Sequence, residues 1–131
     1  MNTFDFFKLP KFDDDKGTLV PLELKNYIGW VPKRVYYAIN NVNGRGGHAH
    51  RKECELFICL QGEMTVKLHD GQNWRTERLK SPLDAVRVDN MIWHEFTDFS
   101  KDAILLAVSS TNYDSKDYIR DFDQFLKESQ K

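Results

Sequence analysis

Residues 54–69, which read CELFICLQGEMTVKLH, decide the fold class of this chain. The first half is a nearly continuous run of β-forming residues, and Gly62 follows it as a turn signal. Beyond it, Met64, Val66 and Leu68 alternate with polar residues. Successive side chains of a strand point to opposite faces, so this alternation puts the three apolar side chains on one buried face. The stretch therefore predicts two β-strands joined as a hairpin.

The hairpin lies in a chain whose turn signals recur about every eight to twelve residues, a rhythm typical of a β-sandwich or barrel. Further strands are predicted at 31–40, 74–79, 83–88 and 103–109. The 131 residues are interpreted as a single domain, 1–131, because domains most often hold about 100 to 150 residues. We expect an all-β fold.

The hydrophobic period changes only near the end of the sequence. Apolar side chains there recur at helical spacing, at Tyr118, Ile119, Phe122, Phe125 and Leu126. This spacing predicts a short C-terminal helix. We expect it to begin near Asp114 or Ser115, because a side-chain oxygen at either position can cap the first turn.

The charge balance argues against a polyanionic partner. The chain carries 19 basic and 20 acidic residues, a net charge of −1, so no overall field attracts nucleic acid or an anionic membrane. Its longest apolar run, 103–108, is far shorter than the ~20 residues that cross a bilayer, and the N-terminus lacks the basic and apolar regions of an export signal. We expect a cytoplasmic protein with no nucleic-acid or membrane partner.

The chemically richest stretch is 45–50, RGGHAH, which holds two of the four histidines. Because His48 and His50 are two residues apart, both imidazoles project from one face of an extended strand. That geometry suits metal ligation, or two polar groups that act on one ligand. His94 follows on a later predicted strand. His69, beside an Asp-Gly turn on the polar face of its strand, is expected to be exposed.

The spacing around these histidines resembles the first motif of the cupins, whose order is H-x-H-x4-E-x6-G. Glu55 follows His50 by five residues, Gly62 follows Glu55 by seven, and His94 lies where a second motif supplies a histidine. The resemblance implies a small jelly-roll β-barrel, whose mouth holds a His, His, Glu, His cluster in metal-binding members. Residue parity alone turns Glu55 away from the two histidines unless the chain bends within 51–54.

A closer resemblance covers nearly the whole chain after residue 15. It is carried by five ordered motifs: Lys33-Arg34-Val35-Tyr36-Tyr37, Arg45-Gly46 with His48-Ala49-His50, Ile58-Cys59-Leu60-x-Gly62, Trp93-His94-Glu95, and Tyr113-Asp114-x-x-Asp117-Tyr118-Ile119-Arg120. These motifs are similar to those of the sugar-nucleotide 3,4-ketoisomerases, which are cupin-fold enzymes. The resemblance implies an enzyme that moves the ketone of dTDP-4-keto-6-deoxyglucose from carbon 4 to carbon 3. It also implies a site without an essential metal or a cofactor, and a homodimer with intertwined sheets.

The resemblance assigns the proton transfers to His48 and Tyr36. His48 occupies the first histidine position of the motif and is implied as the base that removes the carbon 3 proton. Neutral imidazole suits this step, since its reference pKa is about 6.5. Tyr36 is implied as the proton donor. Tyr36 and Tyr37 alternate along a predicted strand, so one is expected in the core and the other in the cavity, and the period alone leaves the choice open.

Three further positions match ligand-contacting residues of the family. His50 and Arg45 are implied to contact the substrate, and the guanidinium of Arg45 suits a carbonyl or phosphate oxygen. Members of the family differ at the position of His94, where histidine resembles the branch whose product has the galacto configuration. Glu55 departs from the family, which has glutamine at the matching place. This departure leaves a metal role for Glu55 open.

Two further hypotheses stay open. One is a metal-dependent cupin enzyme such as an oxygenase, with His48, His50, Glu55 and His94 as ligands. The other is a non-catalytic module that binds a sugar nucleotide. Under the leading hypothesis, the product leads to a 3-amino-3,6-dideoxy sugar of the kind used in bacterial surface glycans, such as the O-antigen of lipopolysaccharide.

Overall fold

The computed structural model describes residues 2–130 and consists mainly of antiparallel β-strands. The strands are β1 (Phe4–Lys8), β2 (Phe12–Asp14), β3 (Gly17–Leu19), β4 (Arg34–Ala38), β5 (Arg45–His50), β6 (Glu55–Gln61), β7 (Glu63–His69), β8 (Trp74–Lys80), β9 (Asp84–Val88), β10 (Trp93–Thr97), β11 (Ile104–Ser109) and β12 (Tyr118–Ile119). The helix α1 (Phe122–Ser129) follows the last strand. The prediction of an all-β fold with a short C-terminal helix is confirmed.

Ten strands form two five-stranded sheets, with the strand orders β1-β9-β6-β11-β4 and β12-β5-β10-β7-β8. The other two, β2 and β3, form a separate, exposed hairpin. An apolar core contains side chains from both large sheets and lies between them. This is the jelly-roll arrangement that the cupin resemblance implies.

β6 and β7 occupy the stretch that predicts a hairpin, but they do not pair with each other. β6 pairs with β9 and β11 in the first sheet, whereas β7 pairs with β8 and β10 in the second. The chain changes sheets at Gly62, whose φ of +73° and approach to Ala103 (2.9 Å from an added Cβ to the Cα) favour glycine. The hairpin prediction is wrong because a period of two shows which face is buried, not which strand is the neighbour.

The two faces of β6 explain its nearly uninterrupted apolar sequence. Phe57 and Cys59 point into the core between the sheets. Leu56 and Ile58 point to the opposite face, where side chains of the segment 20–30 cover them. A strand buried on both faces loses the polar alternation of a half-exposed strand.

β4 lies at an edge of the first sheet, where its partner among residues 2–130 is β11. Val35 and Tyr37 project from its outer face with exposed fractions of 61% and 67%. An edge strand with exposed apolar side chains is a surface on which another chain can pack.

The C-terminal helix begins later than its apolar spacing predicts. Asp121 caps α1 by accepting a hydrogen bond from the Gln124 backbone, whereas Asp114 caps only a 3-10 turn. The predicted start near Asp114 or Ser115 is wrong because residues 118–119 form β12 and pair with β5. The helix has eight residues, and none in the described part of the chain is long and apolar enough to cross a membrane.

Candidate active site

Three imidazoles meet inside one end of the barrel. His48 and His50 lie on β5, and His94 lies on the neighbouring strand β10 in register with His48. The ring centroid of His48 is 4.9 Å from that of His50 and 4.8 Å from that of His94. His50 and His94 are buried and His48 is half-buried. The sequence prediction that His48 and His50 share a face agrees with this geometry.

A glycine brings β5 close enough to β10 for these rings to touch. Gly46 has a φ of +85°, and a Cβ added to it would lie 2.7 Å from the carbonyl oxygen of His94. Because of both the backbone conformation and this close approach, any larger residue at position 46 would be strained. Gly46 therefore allows the close approach of the two histidine-bearing strands.

Glu55 joins the histidines because the chain bends between β5 and β6. The bend is held by the carboxylate of Asp117, which accepts hydrogen bonds from the backbone N–H groups of Lys52 and Glu53 at 2.9 and 3.0 Å. Glu55 Oε1 consequently lies 3.4 Å from His50 Nδ1 and 3.6 Å from His94 Nε2. Without this bend, the side chain of Glu55 would face away from the histidines.

Tyr36 reaches the same cluster from β4. Its hydroxyl donates a short hydrogen bond to Glu55 Oε2, and its side chain lines the adjoining cavity. Tyr37 lies at the cavity rim and is largely exposed, so the expectation that one of the two tyrosines is buried in the core is wrong. The side chains that cover the outer face of the first sheet do not extend to Tyr37, because β4 lies at the edge of that sheet.

Burial dominates the electrostatics of the cluster. It lowers the pKa of His48 to about 3, with further lowering by His50 and Arg120. Burial and a neighbouring imidazole likewise lower the pKa of His50 and of His94 to about 3. Burial also raises the pKa of Glu55 well above its ordinary value. At neutral pH the site therefore holds neutral imidazoles, beside a carboxyl group whose charged form is disfavoured by the same burial.

Two cavities adjoin at His48. The first, of about 280 Å³, is lined by Tyr36, Tyr37, Ala38, Phe57, His94, Phe96, Leu105 and Tyr118, together with Arg34, Arg45, Gly46 and His48. The second, of about 480 Å³, is lined by the loop 40–46, His48 and Arg120. Arg45 borders both cavities and donates from Nε to the side-chain oxygen of Asn41 at 2.9 Å. His50 lines neither of these cavities and lies behind His48, against Glu55.

Sequence reasoning assigned no role to a second buried carboxylate beside the cluster. Glu53 accepts hydrogen bonds from Arg34 Nη2 and Ser109 Oγ, each at 2.7 Å, and from Thr111 Oγ1 at 3.2 Å. The Arg34 guanidinium lies 5.2 Å from the ring centroid of Tyr36. Glu53 follows Lys52 and has no motif of its own, so nothing in the sequence distinguishes it from a surface acid.

The donor set of the cluster fits a divalent metal chemically. One nitrogen from each of His48, His50 and His94 lies within 4.8 Å of the others, and so does one ligand atom from each of His50, Glu53 and Glu55. Imidazole and carboxylate suit several transition metals. Chelation is therefore part of the functional test below.

Comparisons with known proteins agree on one family. The family model described as "FdtA: WxcM-like, C-terminal" matches residues 2–130. The TDP-4-oxo-6-deoxy-alpha-D-glucose-3,4-oxoisomerase of Aneurinibacillus thermoaerophilus is 39% identical over 119 residues, which cover 89% of this chain and 86% of that protein.

Two solved structures match almost completely. A 3,4-ketoisomerase from Helicobacter canadensis superposes with a TM-score of 0.91 at 30% identity and covers 98% of both chains. A variant of the 3,4-ketoisomerase QdtA from Thermoanaerobacterium thermosaccharolyticum, in complex with TDP-4-keto-6-deoxyglucose, gives a TM-score of 0.90 at 30% identity over 97% of this chain and 94% of that one. Since the family model and these relatives span nearly all of the chain, the protein belongs to the FdtA family, described as WxcM-like, C-terminal.

Proposed function

We propose that this protein is a TDP-sugar 3,4-ketoisomerase that converts TDP-4-keto-6-deoxyglucose into its 3-keto isomer. The observation that carries the proposal is a single cavity lined by both the neutral imidazole of His48 and the side chain of Tyr36, which come from different sheets. The names of the similar proteins supply the substrate.

His48 acts as the base. Moving the ketone requires removal of the carbon 3 proton, passage through an enediol and return of a proton to carbon 4. Burial lowers the pKa of His48 to about 3, so its imidazole is unprotonated at neutral pH and presents a lone pair to that proton. The same burial makes the ring a weaker base, and the negative charge that forms on the substrate beside it offsets this. A positioned base contributes about 10²- to 10⁴-fold to such a step.

Tyr36 stabilises the charge that forms on oxygen. Removal of the carbon 3 proton drives electron density onto the carbon 4 oxygen, and a phenol can donate a hydrogen bond or a proton to it. The Tyr36 hydroxyl, which donates to Glu55 Oε2 in this structure, turns its single hydrogen to the substrate oxygen when the sugar binds. The positioned hydroxyl therefore lowers the barrier to the enediol.

We assign the galacto configuration to the product. In a gluco-configured chair the carbon 3 hydrogen lies below the ring, and a galacto product carries its new carbon 4 hydrogen on the same side. One base on that side can remove the first proton and deliver the second. His48 fits this role, and the ring of His94 contacts it edge to face at the same cavity.

The two cavities divide the substrate between them. The first has an aromatic lining that suits the face of a sugar ring, and the second has two guanidinium groups, Arg45 and Arg120, that suit the diphosphate. Arg120 is held 4.4 Å from the ring centroid of Tyr118. His48 lies where the cavities meet, as a base acting on the sugar next to the diphosphate must.

The protein functions as a homodimer in this proposal. The outer face of β4 exposes Val35 and Tyr37, and the edge of the strand is available for pairing with a second copy. Sedimentation of the wild type at twice the protomer mass, and of Val35→Glu at the protomer mass, supports this interface. A monomeric wild type contradicts it.

In this proposal the protein acts in the cytoplasm, and its reaction is a step in the biosynthesis of surface glycans. A 3-keto sugar nucleotide is the substrate that amination at carbon 3 requires, so the product feeds a 3-amino-3,6-dideoxy sugar of the O-antigen type.

The test is NMR of TDP-4-keto-6-deoxyglucose with purified protein in deuterated water, with and without EDTA. We expect signals of the 3-keto isomer in both samples, with Glu77→Gln, a half-buried position that lines neither cavity at His48, as an active control. Loss of turnover in EDTA, restored by added metal, favours the metal-dependent alternative. Binding of TDP with an unchanged sugar over hours favours a non-catalytic module and contradicts the proposal.

A further inference from the structure

Arg45 is a cation without an anionic partner at the place where the two cavities meet. It lines both cavities and forms no ion pair with a carboxylate of residues 2–130. The hydrogen bond that its side chain makes within this part of the chain runs from Nε to Oδ1 of Asn41 at 2.9 Å. The N–H groups on Nη1 and Nη2 are therefore available to a ligand.

Asn41 is itself anchored at the other end of its amide group. Its Nδ2 donates to the carbonyl oxygens of Ala38 and Ala103, each at 3.2 Å. Ala38 is the last residue of β4, and Ala103 directly precedes β11, the strand that pairs with β4. Because an amide nitrogen only donates and an amide oxygen only accepts, these two anchors turn the oxygen of Asn41 towards Arg45. The tether of Arg45 therefore starts from two paired strands rather than from the loop alone.

The amide of Asn41 orients the guanidinium without cancelling its charge. A carboxylate at this position would accept the same hydrogen bond, but it would also form an ion pair with Arg45 and weaken the attraction of the cation for a second anion. A neutral tether has a further effect. A long side chain loses rotamer freedom when it binds a ligand, and a hydrogen bond formed before binding reduces that loss.

Asn41 lines the second cavity, but its own donors are already used. An amide has two N–H groups, and those of Asn41 bind the carbonyl oxygens of Ala38 and Ala103. The remaining polar atom is the oxygen, which a phosphate repels. Any effect of Asn41 on an anionic ligand must therefore pass through Arg45.

We propose that Asn41 is a positioning residue for diphosphate binding, which holds Arg45 by its Nε and leaves the Nη1 and Nη2 donors for the phosphate oxygens; this inference rests on the proposed binding of the diphosphate in the second cavity. Arg45 then meets two phosphate oxygens with two parallel N–H groups, in the bidentate contact that suits a guanidinium. The side chain is already in place when the sugar nucleotide arrives.

A double-mutant cycle on TDP affinity tests this role. Asn41→Leu removes the tether at nearly the same size, and Arg45→Met removes the group through which Asn41 acts. We expect Asn41→Leu to weaken TDP binding about 5-fold in the wild-type background and less than about 2-fold in the Arg45→Met background. Calorimetry measures the four affinities. Asn73→Leu, at an exposed turn position that lines neither cavity, is the matched control and should bind TDP as the wild type does.

The kinetic constants give a second readout of the same variant. Asn41→Leu should raise KM about as much as it weakens TDP binding, while kcat stays within about 2-fold of the wild type, because the tether acts equally in the ground state and the transition state. A general disturbance of the site would lower kcat as well.

Asn41→Asp tests the need for a neutral tether. It keeps an acceptor for Arg45 Nε but adds a negative charge beside the cation. We expect it to weaken TDP binding about 20-fold at low salt, which is more than Asn41→Leu does, and we expect the difference between the two variants to shrink as salt is added. TDP binding as tight as that of the wild type would show that the charge of the tether is irrelevant and would contradict the proposal.

The other outcomes separate the tether from the isomerase function. Equal weakening by Asn41→Leu in both backgrounds would assign Asn41 to the support of the loop alone, and unchanged affinity in the wild-type background would show that Arg45 needs no tether. Either result overturns the inference while isomerisation continues. A wild type that binds TDP but leaves the sugar unchanged overturns the proposed function instead, and the cycle still measures the role of Asn41.

Discussion

The two ends of the barrel interior lie between the same sheets and differ in almost every physical respect. Along one face of β6 the side chains change from Glu55 to Phe57 to Cys59, and along β10 they change from His94 to Phe96. The ring centroids of Phe57 and Phe96 lie 4.7 Å apart at the boundary between the ends. The apolar end gains free energy from burial, whereas the polar end holds desolvated groups that burial penalises. The comparison indicates that one end stabilises the barrel, whereas the other holds the groups to which we assign the chemistry.

The largest expected effect is the loss of kcat in His48→Asn, which should alter the polar end alone. We expect kcat to fall about 10³-fold, because the base is lost, while TDP affinity and the unfolding midpoint change little. Turnover by NMR and TDP binding by calorimetry measure the two effects. Turnover close to that of the wild type would remove His48 from the role of base.

Met64→Ala should affect only the apolar end. Met64 is fully buried in the core between the sheets, and truncating such a side chain costs about 2–5 kcal/mol of the free energy of unfolding. We expect kcat to remain at the wild-type value at temperatures where the variant is folded. Urea unfolding and turnover assays check both statements. A large fall in kcat of the folded variant would show that the two ends are coupled.

Tyr36→Phe should lower kcat about 10²-fold with little loss of stability, because one hydroxyl at the cavity wall is removed. Tyr27→Phe is the matched control, since the Tyr27 ring stacks on Phe7 outside the site and keeps that contact as phenylalanine. Equal rates in the two variants would contradict a role for the Tyr36 hydroxyl.

The smallest expected effect is a pH dependence of the free energy of unfolding, which arises from the titratable groups of the polar end. The imidazoles of His48, His50 and His94 have a pKa of about 3 when folded and about 6.5 when unfolded, so between these values the unfolded chain binds more protons. Stability should therefore fall as pH falls from 6.5 towards 3. Glu55 has the opposite effect. Because its pKa is higher in the folded than in the unfolded chain, its contribution to stability decreases as pH rises from the unfolded towards the folded pKa.

Thermal unfolding of His94→Gln across this range sharpens the comparison. We expect its midpoint to fall less steeply with decreasing pH than that of the wild type, because one neutral buried imidazole is absent. Met64→Ala should keep the wild-type slope at a lower midpoint. Parallel slopes for the wild type and His94→Gln would contradict the assignment.

The local pattern of the sequence predicts most strands and the shared face of His48 and His50, because both depend only on the strand period. Pairing depends on contacts far apart in the sequence, and the false hairpin at Gly62 shows that limit. The expectation that His69 is exposed is wrong for a similar reason. It lies on the polar face of its strand, but Trp74 and Phe122 cover its ring.

The candidate site was predictable where a motif carried it and not where distant residues complete it. The first cavity brings His48, Tyr36, Arg45 and His94 together, as the family resemblance implies. The position of Glu55 depends on Asp117, which is distant in sequence and holds the bend. The link from Arg34 to Glu53 likewise joins β4 to the turn before β6. The local periodicity of the sequence does not predict such contacts.

The pairing of β12 with β5 ties the site to the order in which the chain is synthesised. β5 carries two of the site's histidines, and β12 pairs with it at Ala49 and His50, which brings Tyr118 to the lining of the first cavity. On the ribosome, β5 emerges long before residues 118–119, so a nascent chain of residues 1–114 contains all three histidines but lacks Tyr118 and Arg120 of the cavity lining. The candidate site is thus complete only after residues 118–119 have been synthesised, and a product of early termination lacks part of its lining.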